Sequence, residues 1–364
     1  TTLGAILPSL IDQYQIDKVH AGSLMMIMSF GILLGSLIFG PIVDRYGYKI
    51  LFIICATVIF LSLEGIAVAP RLWFLRFYLF MIGIGGGVIN GGANALVADI
   101  SDQSKSANLS LLGVFFGVGA IGVPLSLGLL STFFSYNLII AFVGGLVIIP
   151  LLFFIFPKFP QPKQPQGFPI KDGVKLIKQS TLLLFAFILF FQSGMEFVAA
   201  SWSAVFFREE LALDKNLAVL FLSFYWLGIM TARLILNFLL KRISAVRLQF
   251  IFIGIALLGA FSMILTSSPV LSPLSLFLIG FGLAAGFPIM LGYVGDLYAK
   301  FSGTAFSVVF VVALCGGMSF PYLTGVIGEA SGLRSSFLII PIGLICFSIL
   351  FSSAIKRISK PQTI

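Results

Sequence analysis

Long apolar runs alternate along this chain with short polar breaks, and most of the runs hold 18 or more residues. A helix needs about 20 residues to cross a hydrocarbon core ~30 Å thick. The pattern therefore predicts spanning helices near 22–41, 49–69, 73–97, 107–132, 137–157, 180–207, 217–240, 248–267, 271–297, 303–327 and 335–355. A twelfth run, TTLGAILPSL, meets a polar break after ten residues and opens without a methionine, so we expect a first span whose beginning is missing.

Composition agrees with that reading. Hydrophobic residues make up 59% of the chain and charged residues 10%, against roughly half and a quarter in soluble domains. The net charge of +9 would suggest an acidic partner in a soluble protein, but its distribution matters more here. With a cytoplasmic N-terminus, fifteen Lys and Arg fall in cytoplasmic segments, six fall on the outer side, and Arg233 lies within a span. This positive-inside bias predicts a multi-pass protein of the cytoplasmic (inner) membrane with both termini in the cytoplasm, and no nucleic-acid partner. Cys55, Cys315 and Cys346 fall inside spans, where thiols act as small hydrophobes, and His20 sits in an outer loop. Neither a metal centre nor a catalytic triad has residues to be built from, so no enzyme, metal or cofactor is expected.

Residues 157–179, PKFPQPKQPQGFPIKDGVKLIKQ, hold five prolines and five lysines, the composition of an extended linker. This divides the chain into a bundle at 1–156, the linker at 157–179 and a bundle at 180–364. At a constant offset of 197 the pairs Gly31/Gly228, Gly83/Gly280, Gly85/Gly282, Asp99/Asp296, Gly119/Gly316, Pro124/Pro321 and Gly128/Gly325 coincide without a gap. Parallel six-helix repeats place a binding site between the halves near the bilayer midplane and make rocking the natural motion.

The loop GPIVDRYGYK, residues 40–49, resembles the signature loop of the major facilitator superfamily, G-x-x-x-D-R-x-G-x-K/R. The resemblance implies twelve helices in two pseudo-symmetric bundles, with Asp44 and Arg45 at a conformational latch in which Arg45 pairs with Asp99. ILPSLIDQY, ANALV, FFGVGAIGVP, GMEFVAASW, GIMTAR and GFPIML resemble segments of the fucose permease branch of sugar:proton symporters. Two departures bear on mechanism. The first-span and fourth-span acids that the resemblance implicates in proton handling fall on Gly4 and Asn90, so neither carboxylate is present.

Intramembrane ionisable groups face the protein interior or water rather than lipid. Gln192, Glu196, Ala199 and Ser203 share one helical stripe, and Glu196 is the expected proton-coupling carboxyl; the bland alternative is a permanently hydrogen-bonded structural acid. Asn90 and Asn94 share a stripe with Gly83 and Gly87, suited either to solute hydroxyls or to interhelical bonding. Trp202, Tyr225, Trp226 and Phe287, with Phe115 and Phe116, fall on helices expected to line the cavity. Arg233 is expected either to snorkel to the cytoplasmic interface or to pair with Asp296 as a second latch. Glu64 and Arg76 stand near outer helix ends, as interfacial anchors or a gate pair.

These features predict a monomeric secondary active transporter working by alternating access. Its solute is expected to be small and neutral, a sugar first, with symport of a proton or sodium ion and lipid as surroundings. An exporter of amphipathic drugs or lipids, and a non-transporting membrane receptor, are the competing readings.

Overall fold

The computed structural model describes residues 2–100, 105–160, 179–240, 242–298 and 302–358; the linker residues 161–178 lie outside this set. Among the described residues, ten helices are long and apolar enough to cross a membrane. The first half comprises α1 (Thr2–Tyr14), α2 (Lys18–Tyr46), α3 (Tyr48–Val68), α4 (Leu72–Ile100), α5 (Lys105–Leu130), α6 (Tyr136–Leu146) and α7 (Ile148–Ile155). The second comprises α8 (Ser180–Glu210), α9 (Lys215–Phe221), α10 (Ser223–Leu240), α11 (Ala245–Leu265), α12 (Leu271–Leu283), α13 (Gly286–Leu297), α14 (Ser302–Ser331), α15 (Leu333–Ser336) and α16 (Ile339–Ile358). Within the halves α2 and α3 pack on α4, and α8 packs on α14 and α16; between them α1 meets α8, α2 meets α14, and α5 meets α9 and α10.

Four predicted spans are interrupted, and a proline follows three of the breaks. Pro150, Pro288 and Pro341 are the third residues of α7, α13 and α16. Lacking an N–H, they cannot donate to the carbonyls of Leu146, Ala284 and Phe337 four residues back, which lie at or next to the ends of the preceding helices at Leu146, Leu283 and Ser336. No proline accounts for the break at Leu222.

The 197-residue repeat persists at the level of contacts. A Cβ at Gly31 would fall on the Phe80 carbonyl oxygen, and one at Gly228 on that of Phe277. Gly83 meets Met28 O as Gly280 meets Tyr225 O, and Gly85 meets Cys55 O as Gly282 meets Phe252 O. Each is the same crossing made twice, because only a residue without a side chain lets two backbones approach this closely. The turns repeat too. Gln15 and Ala212 both take positive φ, 49° and 51°, while Asp17 and Asp214 cap α2 and α9 by accepting from His20 N and Asn216 N. The His20 backbone bond holds the Asp17 carboxyl below its usual range. His20 is exposed, with Nδ1 2.7 Å from Asp17 Oδ1.

Gly83→Ala and Gly280→Ala should each destabilise the protein by about 1–3 kcal/mol through overpacking, seen as a lower melting temperature in detergent. Gly254→Ala, whose Cβ meets nothing within 4 Å, should leave it unchanged.

Candidate functional site

Glu196 lies mid-way along α8 and is half-buried. Its Oε1 accepts from Gln192 Nε2 at 2.7 Å, one helical turn away. The other N–H of that amide reaches the Leu283 carbonyl oxygen, also at 2.7 Å. Leu283 ends α12, next to the Ala284 carbonyl from which Pro288 withholds a donor, and the Gln192 amide bonds the chain at this break. Gly286 leaves room for it, since a Cβ there would overlap the Gln192 side chain. From α10, Tyr225 OH donates to the Glu196 backbone carbonyl at 3.3 Å. The Arg233 charge acts on both the Glu196 carboxyl and the Tyr225 phenol, through space rather than by an ion pair.

The other candidate residues occupy different settings. Trp226 crosses Tyr225 edge-on at 5.1 Å and reaches Phe116 of α5 at 6.2 Å, and its buried Nε1 has no acceptor. Phe287 stacks on Phe310 at 6.4 Å. Trp202 is fully buried, its Nε1 donating to Pro321 O at 3.0 Å, so it ties α8 to α14. Ser203 donates to Ala199 O. Gly83 and Gly87 face α2, and Asn90, further along that helix, is exposed. The side chains of Asn94, Asp44, Arg45 and Asp99 lie outside the described set. Arg233 and Asp296 are both exposed and do not pair with each other here. Glu64 and Arg76 do not pair either; Glu64 packs beside Gly144, and the Arg76 Nε is buried without an acceptor.

Gly4 stands where the family resemblance led us to look for an acid. A Cβ there would fall on the Ala200 carbonyl oxygen, so α1 and α8 cross backbone to backbone, about 6 Å along α8 from Glu196. At this position, in this conformation, a carboxylate does not fit.

Around that crossing the two halves are joined by ion pairs that sequence reasoning missed. Lys18 meets Glu209 at 3.1 Å and Lys215 meets Asp12 at 3.5 Å. The repeat offset carries Asp12 to Glu209 and Lys18 to Lys215, so these are one pairing made twice about a pseudo-two-fold axis. That offset was the signal available in the sequence. Arg208 adds 2.7 Å to Asp12 and 3.1 Å to Pro8 O, and the Lys18 backbone N–H donates to Glu329. Gly22 meets the Pro321–Tyr322 backbone, and Gly128 meets Leu220. Further along α5, ~16 Å from Gly128, a Cβ at Gly117 would stand 3.4 Å from Met230 Sδ and touch no backbone. Among the described residues the halves therefore meet backbone to backbone at the face of the α1–α2 turn and through side chains further toward the Gly47 face.

Comparison with known proteins follows this geometry. A family model described as Major Facilitator Superfamily matches residues 1–279. The glucose/mannose transporter GlcP of Bacillus subtilis is 23% identical over 336 residues, covering 88% of this chain and 82% of that protein. The multi-drug resistance efflux pump PmrA of Streptococcus pneumoniae is 24% identical over 326 residues, covering 86% and 78%. The crystal structure of nucleoside transporter NupG superimposes with a TM-score of 0.84 at 15% identity, covering 97% of this chain and 94% of that one.

The paired bridges give a charge-swap expectation. With the native cysteines replaced and a reporter Ser9→Cys in α1, Lys18→Glu should raise maleimide labelling roughly fivefold, the scale of one exposed ion pair. Adding Glu209→Lys should bring the rate back down.

Proposed function

The chain belongs to the Major Facilitator Superfamily, and on that premise we propose that it is a secondary active transporter for a small neutral solute, a sugar first, working by alternating access. The observation that carries this reading is the Gln192–Glu196 pair. It lies just below the sealed crossing of α1 and α8, beside Tyr225, the unpartnered Trp226 N–H and the α12–α13 break. A sugar needs this mixture: amide and carboxyl groups for hydroxyls and aromatic faces for its apolar side. The GlcP relationship and the fucose permease motifs support the sugar class.

In this reading Asn90, Asn94, Gln192, Glu196, Trp226 and Phe287 meet the solute, while Trp202 and Tyr225 hold the wall behind them. Glu196 carries the coupling proton. A carboxyl away from bulk water, with one N–H donor and a guanidinium acting on it, can change charge with modest rearrangement. We take the sealed face as the outer one, in keeping with the positive-inside bias, and the protein as a monomer of the cytoplasmic membrane. Asp44 and Arg45 with Asp99, and Arg233 with Asp296, then form the inner latches that close when the outer bridges open.

Counterflow in proteoliposomes tests this. We expect saturable exchange of a hexose or closely related polyol, with proton-driven accumulation. Glu196→Gln should keep the exchange and lose the accumulation. Movement of amphipathic dyes with no hexose exchange would instead favour the exporter chemistry of PmrA, and accumulation that survives Glu196→Gln would remove the coupling role.

A further inference from the structure

We propose that Gln192 is a positioning residue through which the charge on Glu196 controls the break between α12 and α13. The inference rests on the coupling reading of Glu196 and adds the part of the machine that responds.

One amide nitrogen makes both bonds. Its hydrogens point to Glu196 Oε1 and to Leu283 O, each at 2.7 Å. Both bonds are specific to their setting. The carboxylate is the stronger acceptor while it is charged, and it fixes the amide rotamer. The Leu283 carbonyl ends α12 at the break, where Ala284 N still bonds Gly280 O and Ile289 N bonds Ala285 O, and the Gln192 amide ties it to α8 from outside the helix. Pro288, with no N–H, keeps the gap from healing into a continuous helix. Gly286 supplies the space the amide occupies.

Protonation of Glu196 alters this arrangement at one point. The carboxyl gains an O–H that must find an acceptor, and its hold on the Gln192 N–H weakens. Leu283 O and Gln192 Oε1 are the acceptors already within this cluster. Given to Leu283 O, the O–H displaces the Gln192 N–H from that carbonyl; given to Gln192 Oε1, it requires the amide to turn over, which sets Oε1 rather than Nε2 against Leu283 O. In either case the tie from Gln192 to the break is lost. The segment from Leu283 to Pro288 is then free to change angle, carrying Phe287 and its stack on Phe310. Proton uptake in α8 thus becomes movement of a wall of the binding region.

Other charges near Glu196 are few. From α10, Tyr225 donates to its backbone carbonyl and Arg233 acts on the carboxyl. Asp12, Lys18, Glu329 and Arg334, from α1, α2, α14 and α15, gather at the far end of α8 around Arg208, Glu209 and Glu210. From α13, Tyr293 stacks on Phe185, nearer the opposite end.

Hydrogen exchange of the peptide covering 283–290, with the full chain in nanodiscs and rates normalised to the intrinsic rate at each pH, tests the inference. In the unmodified protein, acidification should raise normalised exchange about tenfold, as expected when a charge-assisted bond holding a local closed state is lost. Gln192→Leu should exchange fast at every pH, and its transport should lose its pH dependence. Gly286→Ala, which crowds the amide without touching the acid, should do the same. Glu196→Gln should flatten the pH response. A response that survives Gln192→Leu but not Glu196→Gln overturns this inference and leaves the coupling reading standing. A response that survives Glu196→Gln overturns both.

Discussion

Helix backbones in this molecule come closest where one partner is glycine, and the rest of the architecture depends on that. Inside each half the glycines at 31, 83 and 85, and again at 228, 280 and 282, let carbonyl oxygens sit where a side chain would stand. Between the halves Gly4, Gly22 and Gly325 do the same, and Gly128 admits the Leu220 Cα and Cβ, all toward the face of the α1–α2 turn. Backbone contact at one face and side-chain contact beyond it is, on the proposed reading, the geometry of a molecule that opens to one side. The bridging ion pairs are part-exposed, each worth no more than ~1 kcal/mol. A weak, symmetric seal of that kind can be broken within a transport cycle.

Symmetry describes the gate but not the site. The turns, caps and bridges repeat at the offset of 197, whereas α4 runs unbroken through Gly91 and its counterpart helix is interrupted at Pro288. Gln192 and Glu196 attend to that interruption. The half that carries Glu196 also carries the break before Pro288, so on the proposed reading chemistry and movement meet in the second bundle.

Much of the fold was legible in the sequence because bilayer thickness sets the length of every span and the repeat duplicates its evidence. The positions of α2, α3, α4 and α8 followed from apolar runs alone. The splits at Val147, Ala284 and Phe337 did not, since hydropathy is blind to a missing N–H, and neither did the one at Leu222, where no proline stands. Glu196 stood out as a lone carboxyl in an apolar run, and Gln192 as its neighbour on a stripe. What no stripe could reveal is that the Gln192 amide is divided between the acid and a carbonyl 91 residues away. Trp202 illustrates the opposite limit: its polar edge marked it for solute contact, and the fold brings that edge to Pro321 O. The bridges at Asp12, Lys18, Glu209 and Lys215 were readable only by carrying the repeat offset into the turns.

The central claim is that the seal at Gly4 and the opening opposite are two ends of one rocking motion governed by Glu196. Pulsed electron–electron spin resonance measures both ends in one preparation. Spin labels at Phe133 and Val270 report one face, and labels at Ile50 and Arg247 report the other; each pair sets an exposed position of one half against one of the other. The account predicts that solute and acidification lengthen the first distance while shortening the second, and that Glu196→Gln removes the response to pH. Distances that change at one face alone, or that respond to pH equally without Glu196, would contradict it.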